Sequence, residues 1–99
     1  MQGHYPLAFE REMGCTEADL RGWLPAACAG RSIEWRAQGA DIAFDGARVS
    51  LDWQSLAPRR IALIVLPRLQ VRFEALGVEE AVWQRFMRHF DLVTQRGGG

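Results

Sequence analysis

The sequence predicts an α+β fold: a two-layer sandwich whose mostly antiparallel sheet carries two helices on one face, in the order β-α-β(3–5)-α. Three observations predict it. Apolar residues recur with a period of two across the middle of the chain, from Ser32 to Glu74, which is the mark of strands with one covered face. A period of 3.6 replaces it over residues 16–28 and again over about 78–92, so an amphipathic helix stands near each end. Finally, the chain echoes itself. Phe9-Glu10, Gly14, Glu17-Ala18 and the trio Leu20, Trp23, Leu24 return about 63 residues later as Phe73-Glu74, Gly77, Glu80-Ala81 and Trp83, Phe86, Met87. Each copy reads as a strand end, a glycine turn and a helix, an internal pseudo-repeat that puts Trp23 and Trp83 in related places. Helices gathered on one face of an antiparallel sheet make two layers.

Taken in order, Tyr5, Leu7 and Phe9 alternate with other residues, so about 4–11 is the first strand, and Pro6 places its start at an edge. Thr16 followed by Asp19 forms a capping box with the shorter acid. The helix it opens presents Leu20, Trp23, Leu24, Ala27 and Cys28 on one face. Pro25 either ends that helix near Leu24 or kinks it before a last turn that stops at Gly30. Three antiparallel strands follow, carrying Ile33 and Trp35, Ile42 and Phe44, then Val49, Leu51 and Trp53. Gly39 and Asp45-Gly46 are their turns, and Asp-Gly between alternating runs is the strongest hairpin signal in the chain.

Arg59 to Glu74 reads as one long strand, interrupted at Pro67 by a bulge, a bend or a break. Leu69, Val71 and Phe73 alternate with polar residues after the proline. Before it, Ile61, Leu63 and Val65 fall on one side and Ala62, Ile64 and Leu66 on the other, so both sides are apolar. The last helix, about 78–92, buries Val82, Trp83, Phe86 and Phe90. This order of elements resembles the layout of TATA-box-binding-protein-like halves and of small helix-grip domains. The resemblance is one of topology, and topology does not carry function.

The chain is 99 residues long and 48% apolar, enough for one core; residues 1–94 are read as a single domain and 95–99 as a glycine-rich tail. Its twelve basic residues, all arginine, balance twelve acids. No net field draws in nucleic acid or an anionic membrane, and neither is expected as a partner. Without lysine there is no Schiff base and no Walker-type phosphate contact. The bias toward Arg, Ala and Gly points to a GC-rich bacterial genome. With no leader-like start and no apolar run longer than Ile61 to Leu66, the reading is a cytoplasmic protein with both cysteines reduced.

Candidates for chemistry are few. Cys15 precedes the capping Thr16, where helix amides favour a thiolate and a catalytic nucleophile. Val78 holds the matching place in the second copy, so a hydrophobic staple is the preferred reading. Cys28 belongs to the apolar helix face. His4 and His89 lie too far in sequence from each other and from the cysteines for the usual paired spacing of a metal site, and neither metal nor cofactor is expected. Arg36, Arg48, Arg68 and Arg72 alternate with Glu34, Asp41, Asp45, Asp52 and Glu74 on the wet face. Cross-strand ion pairing explains that pattern, although arginines on a concave face also suit a small anionic ligand. The terminal glycines are similar to those of ubiquitin-like and sulfur-carrier proteins, whose tails leave a strand; here the tail leaves a helix.

The surplus apolar strand surface at Ala62, Ile64 and Leu66 exceeds what two helices can cover, and such a patch marks an interface. The expected function is therefore non-catalytic binding by a homodimer, with an unidentified protein or small anionic ligand as a further partner. A small enzyme or carrier using Cys15 or the glycine tail is the alternative.

Overall fold

The computed structural model describes residues 4–96. The elements run β1 (Ala8–Met13), α1 (Glu17–Ala27), β2 (Ile33–Arg36), β3 (Gly39–Phe44), β4 (Ala47–Ile61), β5 (Ile64–Leu76) and α2 (Glu80–Arg96). The strands form one antiparallel sheet in the order β1-β5-β4-β3-β2, with both helices on one face, as the periodicities predict. The register makes the two faces explicit. One row across the sheet reads Phe9, Phe73, Leu51, Ala40, Trp35, and the next reads Glu10, Arg72, Asp52, Gly39, Arg36. Because successive side chains point to opposite faces, the first row meets the helices and the second meets water.

The core lies between that apolar face and Leu20, Leu24, Ala27 and Cys28 of the first helix and Trp83, Phe86, Met87 and Phe90 of the second. Phe9 and Phe73, the matching phenylalanines of the echo, are cross-strand partners and stack at 4.9 Å. Phe90 meets Phe73 edge-on at 5.2 Å. The tryptophans differ in depth, however. Trp83 is fully buried and Trp23 only half so; at a constant offset of 63, it is Leu20 that matches Trp83.

Thr16 and Asp19 exchange both capping-box bonds. The first helix continues through Pro25 to Ala27, because the proline lies on its exposed side and the carbonyl it leaves without a helical donor can turn to water. Ala29 and Gly30, both at positive φ, then end it. Tyr5 precedes β1, which begins later than expected. Its backbone N–H donates to Gln84 Oε1 and its hydroxyl to Asp91, tying the N-terminal segment to α2.

The largest departure from expectation is at residues 59–74. They do not form one long strand interrupted at Pro67, although of the bulge, bend or break expected there the bulge is present. The chain reverses at Ala62-Leu63, with Ile61 opposite Ile64, so β4 is 15 residues long. Pro67 lies inside β5, and the register slips by one between Leu56↔Arg68 and Arg59↔Leu66. Ala57 and Pro58 thus face Pro67 across a bulge, a place where two prolines can sit without breaking ladder bonds they cannot make. The reversal escaped sequence reading because it contains no Gly, Pro, Asn or Asp; Ala62 itself takes φ 53°. The final helix also runs on to Arg96, absorbing two residues read as tail, while glycines 97–99 lie outside the described residues.

Candidate functional site

Past the bulge, β4 and β5 leave the sheet as a two-stranded arm. β3 pairs with β4 only as far as Asp52, and β1 pairs with β5 only from Leu69 onward, so among the described residues the arm has no neighbouring strand on either edge. A lone ribbon cannot bury its side chains, whatever their polarity. Leu63 at the tip is 98% exposed, Ile64 57%, Ile61 52%, and Val65 and Leu66 are also exposed. This is where the structure places the predicted interface residues Ala62, Ile64 and Leu66: all three are exposed and together on the arm.

The arm's base is clamped. Arg68 donates through Nη1 to the Ala57 carbonyl in the bulge (3.0 Å) and through Nε and Nη2 to Glu12 of β1 (2.9 and 3.0 Å). Those bonds hold the Glu12 carboxyl below its ordinary pKa. Charge on the arm is one-sided. Arg59 and Arg60 lie on it, Arg68 and Arg72 follow, and no acid occurs between Asp52 and Glu74.

Three of the four sheet arginines proposed for an anion already hold the protein's own carboxylates. Arg36 bridges Asp41 and Asp52, at 3.0 and 2.6 Å, and also donates to Ser50 and the Leu51 carbonyl. Gly39 makes that possible: a Cβ there would stand 2.5 Å from Leu51 O and 2.6 Å from Arg36 Nη1. Arg68 pairs with Glu12, and Arg72 lies 3.7 Å from Glu10. The Asp41 carboxyl is pulled down chiefly by its bond from Arg36. The wet face is therefore a cross-strand charge ladder, and Arg48 is the one of the four in no ion pair among the described residues.

Cys15 is 3% exposed, and burial, helped by Asp19, pushes its thiol up to about 11. A nucleophile needs the opposite shift. It occupies the position before the cap, and Leu20, the staple partner four residues beyond the cap, is in the same buried cluster. A recess of about 170 Å³ reaches Cys15, but its charged residues are already paired, Arg11 with Asp91 at 2.7 Å and Glu12 with Arg68 at 2.9 Å. Cys28 is fully buried, its thiol also pushed up to about 11 by burial. Among the described residues no group of three or more His, Cys, Asp or Glu side chains is placed to hold a metal, and no helix is long and apolar enough to cross a membrane.

Sequence reading missed the clefts at the opposite end of the molecule. One, of about 480 Å³, opens between the Asp45-Gly46 turn and the start of α2, with Phe44, Val78 and Val82 in its walls and Asp45 and Glu79 lining it. Arg31 lines it too, its guanidinium 4.2 Å from the Phe44 ring centre and 5.8 Å from that of Phe86. A smaller recess of about 160 Å³ shares Arg31 and adds Arg85 and His89, with His89 Nε2 3.1 Å from the Ala26 carbonyl. No local motif encodes either cleft, since each joins the start of α2 or its first turns to segments thirty or more residues earlier in the chain. No protein-family model matches this chain, and neither does any curated protein or solved structure.

Proposed function

We propose that this chain is a non-catalytic binding domain of the bacterial cytoplasm that works as a homodimer, with the β4–β5 arm as its contact. The observation that carries the reading is the arm itself: Ile61, Leu63, Ile64, Val65 and Leu66 exposed together on a ribbon with no neighbouring strand among the described residues. Burying a side chain of this size contributes about 1.5–3 kcal/mol, so covering several of them offsets much of the cost of association. An enzyme built on Cys15 finds less support, because the thiol is buried and its pKa is raised.

Sedimentation at micromolar concentration tests the reading. The wild-type chain should sediment as a dimer, and a Leu63→Asp, Ile64→Asp double variant as a monomer that still unfolds cooperatively, with a melting temperature lowered only by the lost association. A wild-type monomer at that concentration would sink the proposal. A small anionic ligand is the second reading. The Arg31, Arg85 and His89 recess supports it better than the sheet arginines do, because none of these three side chains makes an ion pair among the described residues.

A further inference from the structure

We propose that the receptor for the arm is the 480 Å³ cleft of a second copy of this chain, and that two copies placed antiparallel exchange arms reciprocally. The inference rests on the self-association reading and names what that reading leaves open. Its basis is the layout of one antiparallel ribbon. β4 and β5 close on Ala62-Leu63 at one end, and at the other end Ala47 and Gly77 line the cleft. Knob and cleft therefore occupy opposite ends of a molecule whose longest extent is 47 Å. No chain can place its own arm in its own cleft, but a neighbour can.

The two surfaces are complementary in kind. The arm is apolar with Arg59 and Arg60 beside the apolar residues and no acid from residue 53 to residue 73. The cleft is walled by Phe44, Val78 and Val82 and carries Asp45 and Glu79. Its single cation, Arg31, lies over Phe44 and donates to the Cys28 carbonyl. A volume of 480 Å³ falls in the range of about 300–1,000 Å³ over which ligand pockets run, ample for one or two aliphatic side chains. An arm-to-cleft contact made once per pair of chains would grow an open filament, whereas made twice about a two-fold axis it closes the pair as a dimer. A bilayer is the competing receptor for a basic apolar hairpin. The arm's apolar surface extends from the tip back to Leu66, past the level of Arg60, which sits opposite Val65; that is a flank suited to a groove more than a tip suited to a headgroup layer.

Charge reversal tests the pairing with substitutions at exposed positions only, which spares the fold. The variants are Arg59→Glu with Arg60→Glu on the arm, and Asp45→Arg with Glu79→Arg at the cleft, each checked by thermal melting. Each double variant alone should dimerise at least about tenfold more weakly than wild type, because like charges meet at both contacts. Mixed in equal amounts, the two variants should form a one-to-one heterodimer, and the four substitutions combined in one chain should restore the homodimer. If the cleft variant dimerises as tightly as wild type, the arm docks elsewhere and this inference fails, while self-association survives. A wild-type monomer overturns both. A wild-type monomer whose arm binds phosphatidylserine vesicles would assign the arm to a membrane surface instead.

Discussion

Arg36 shows how the exposed face of the sheet is kept in register. Its guanidinium spans Asp41, Ser50 and Asp52 on two strands, and a glycine at position 39 leaves the space it crosses. The charge ladder was legible from the alternation of Arg and Asp; the bridging geometry was not, because it depends on which residues face one another across β3 and β4. The electrostatics give a prediction with a definite sign. The folded-state pKa of Asp41 lies below its ordinary 3.8, so its stabilising contribution is present above that value and is lost as pH falls through the folded pKa. Arg36→Gln should flatten the acid limb of stability below about pH 4, read as urea midpoints against pH; an acid limb as steep as the wild type's would show that Arg36 does not hold the carboxylate. Cys15 behaves oppositely. With its thiol raised from an ordinary 9.0 to about 11, iodoacetamide should alkylate the native protein slowly at neutral pH and faster only as pH approaches that value. Fast labelling at neutral pH, slowed on acidification, would restore the nucleophile.

Among the elements, the helices and the four short strand patterns were legible because each carries a full period and a recognisable boundary: the capping box, Asp45-Gly46 and Gly77. The arm was half legible. Its two-sided apolar pattern signalled surface that the helices do not cover, yet the only interruption the pattern suggested was at Pro67, not a reversal at Ala62-Leu63. The two-residue turn at Ala62-Leu63 lacks the residues that usually announce such a turn, and Ala62 adopts φ 53°. An L-residue in that region costs about 1–2 kcal/mol, which glycine avoids at the expense of some chain entropy. Ala62→Gly should therefore stabilise the monomeric fold by about 0.5–1 kcal/mol. The measurement is best made in the Leu63→Asp, Ile64→Asp background, where association does not contribute. A loss of stability there would mean that the turn is not held in the left-handed region.

At the scale of the molecule, one sheet divides into two parts along its length. The half around Phe73 and Leu51 is covered by both helices and closed on the other side by the charge ladder; the half beyond the bulge has no covering layer at all. That separation explains why the proposed contact was not legible in the residues. The candidate interface joins a turn at one end of β4 and β5 to a cleft at the other, and their relation exists only once the register is set. It also implies that the arm is dispensable for folding. No core residue lies between Trp53 and Leu69, and Leu56 and Arg68 are directly opposed, so an Asn-Gly turn joining them in place of residues 57–67 supplies a hairpin of favoured type. The shortened chain loses the Ala57 carbonyl that Arg68 holds but keeps the Arg68 to Glu12 pair, an exposed interaction worth no more than about 1 kcal/mol. It should fold with a melting temperature within a few degrees of the Leu63→Asp, Ile64→Asp monomer and should sediment as a monomer at every concentration. If it fails to fold, the arm belongs to the structural core; if it folds and still dimerises, the contact lies on the sheet or the helices and not on the arm.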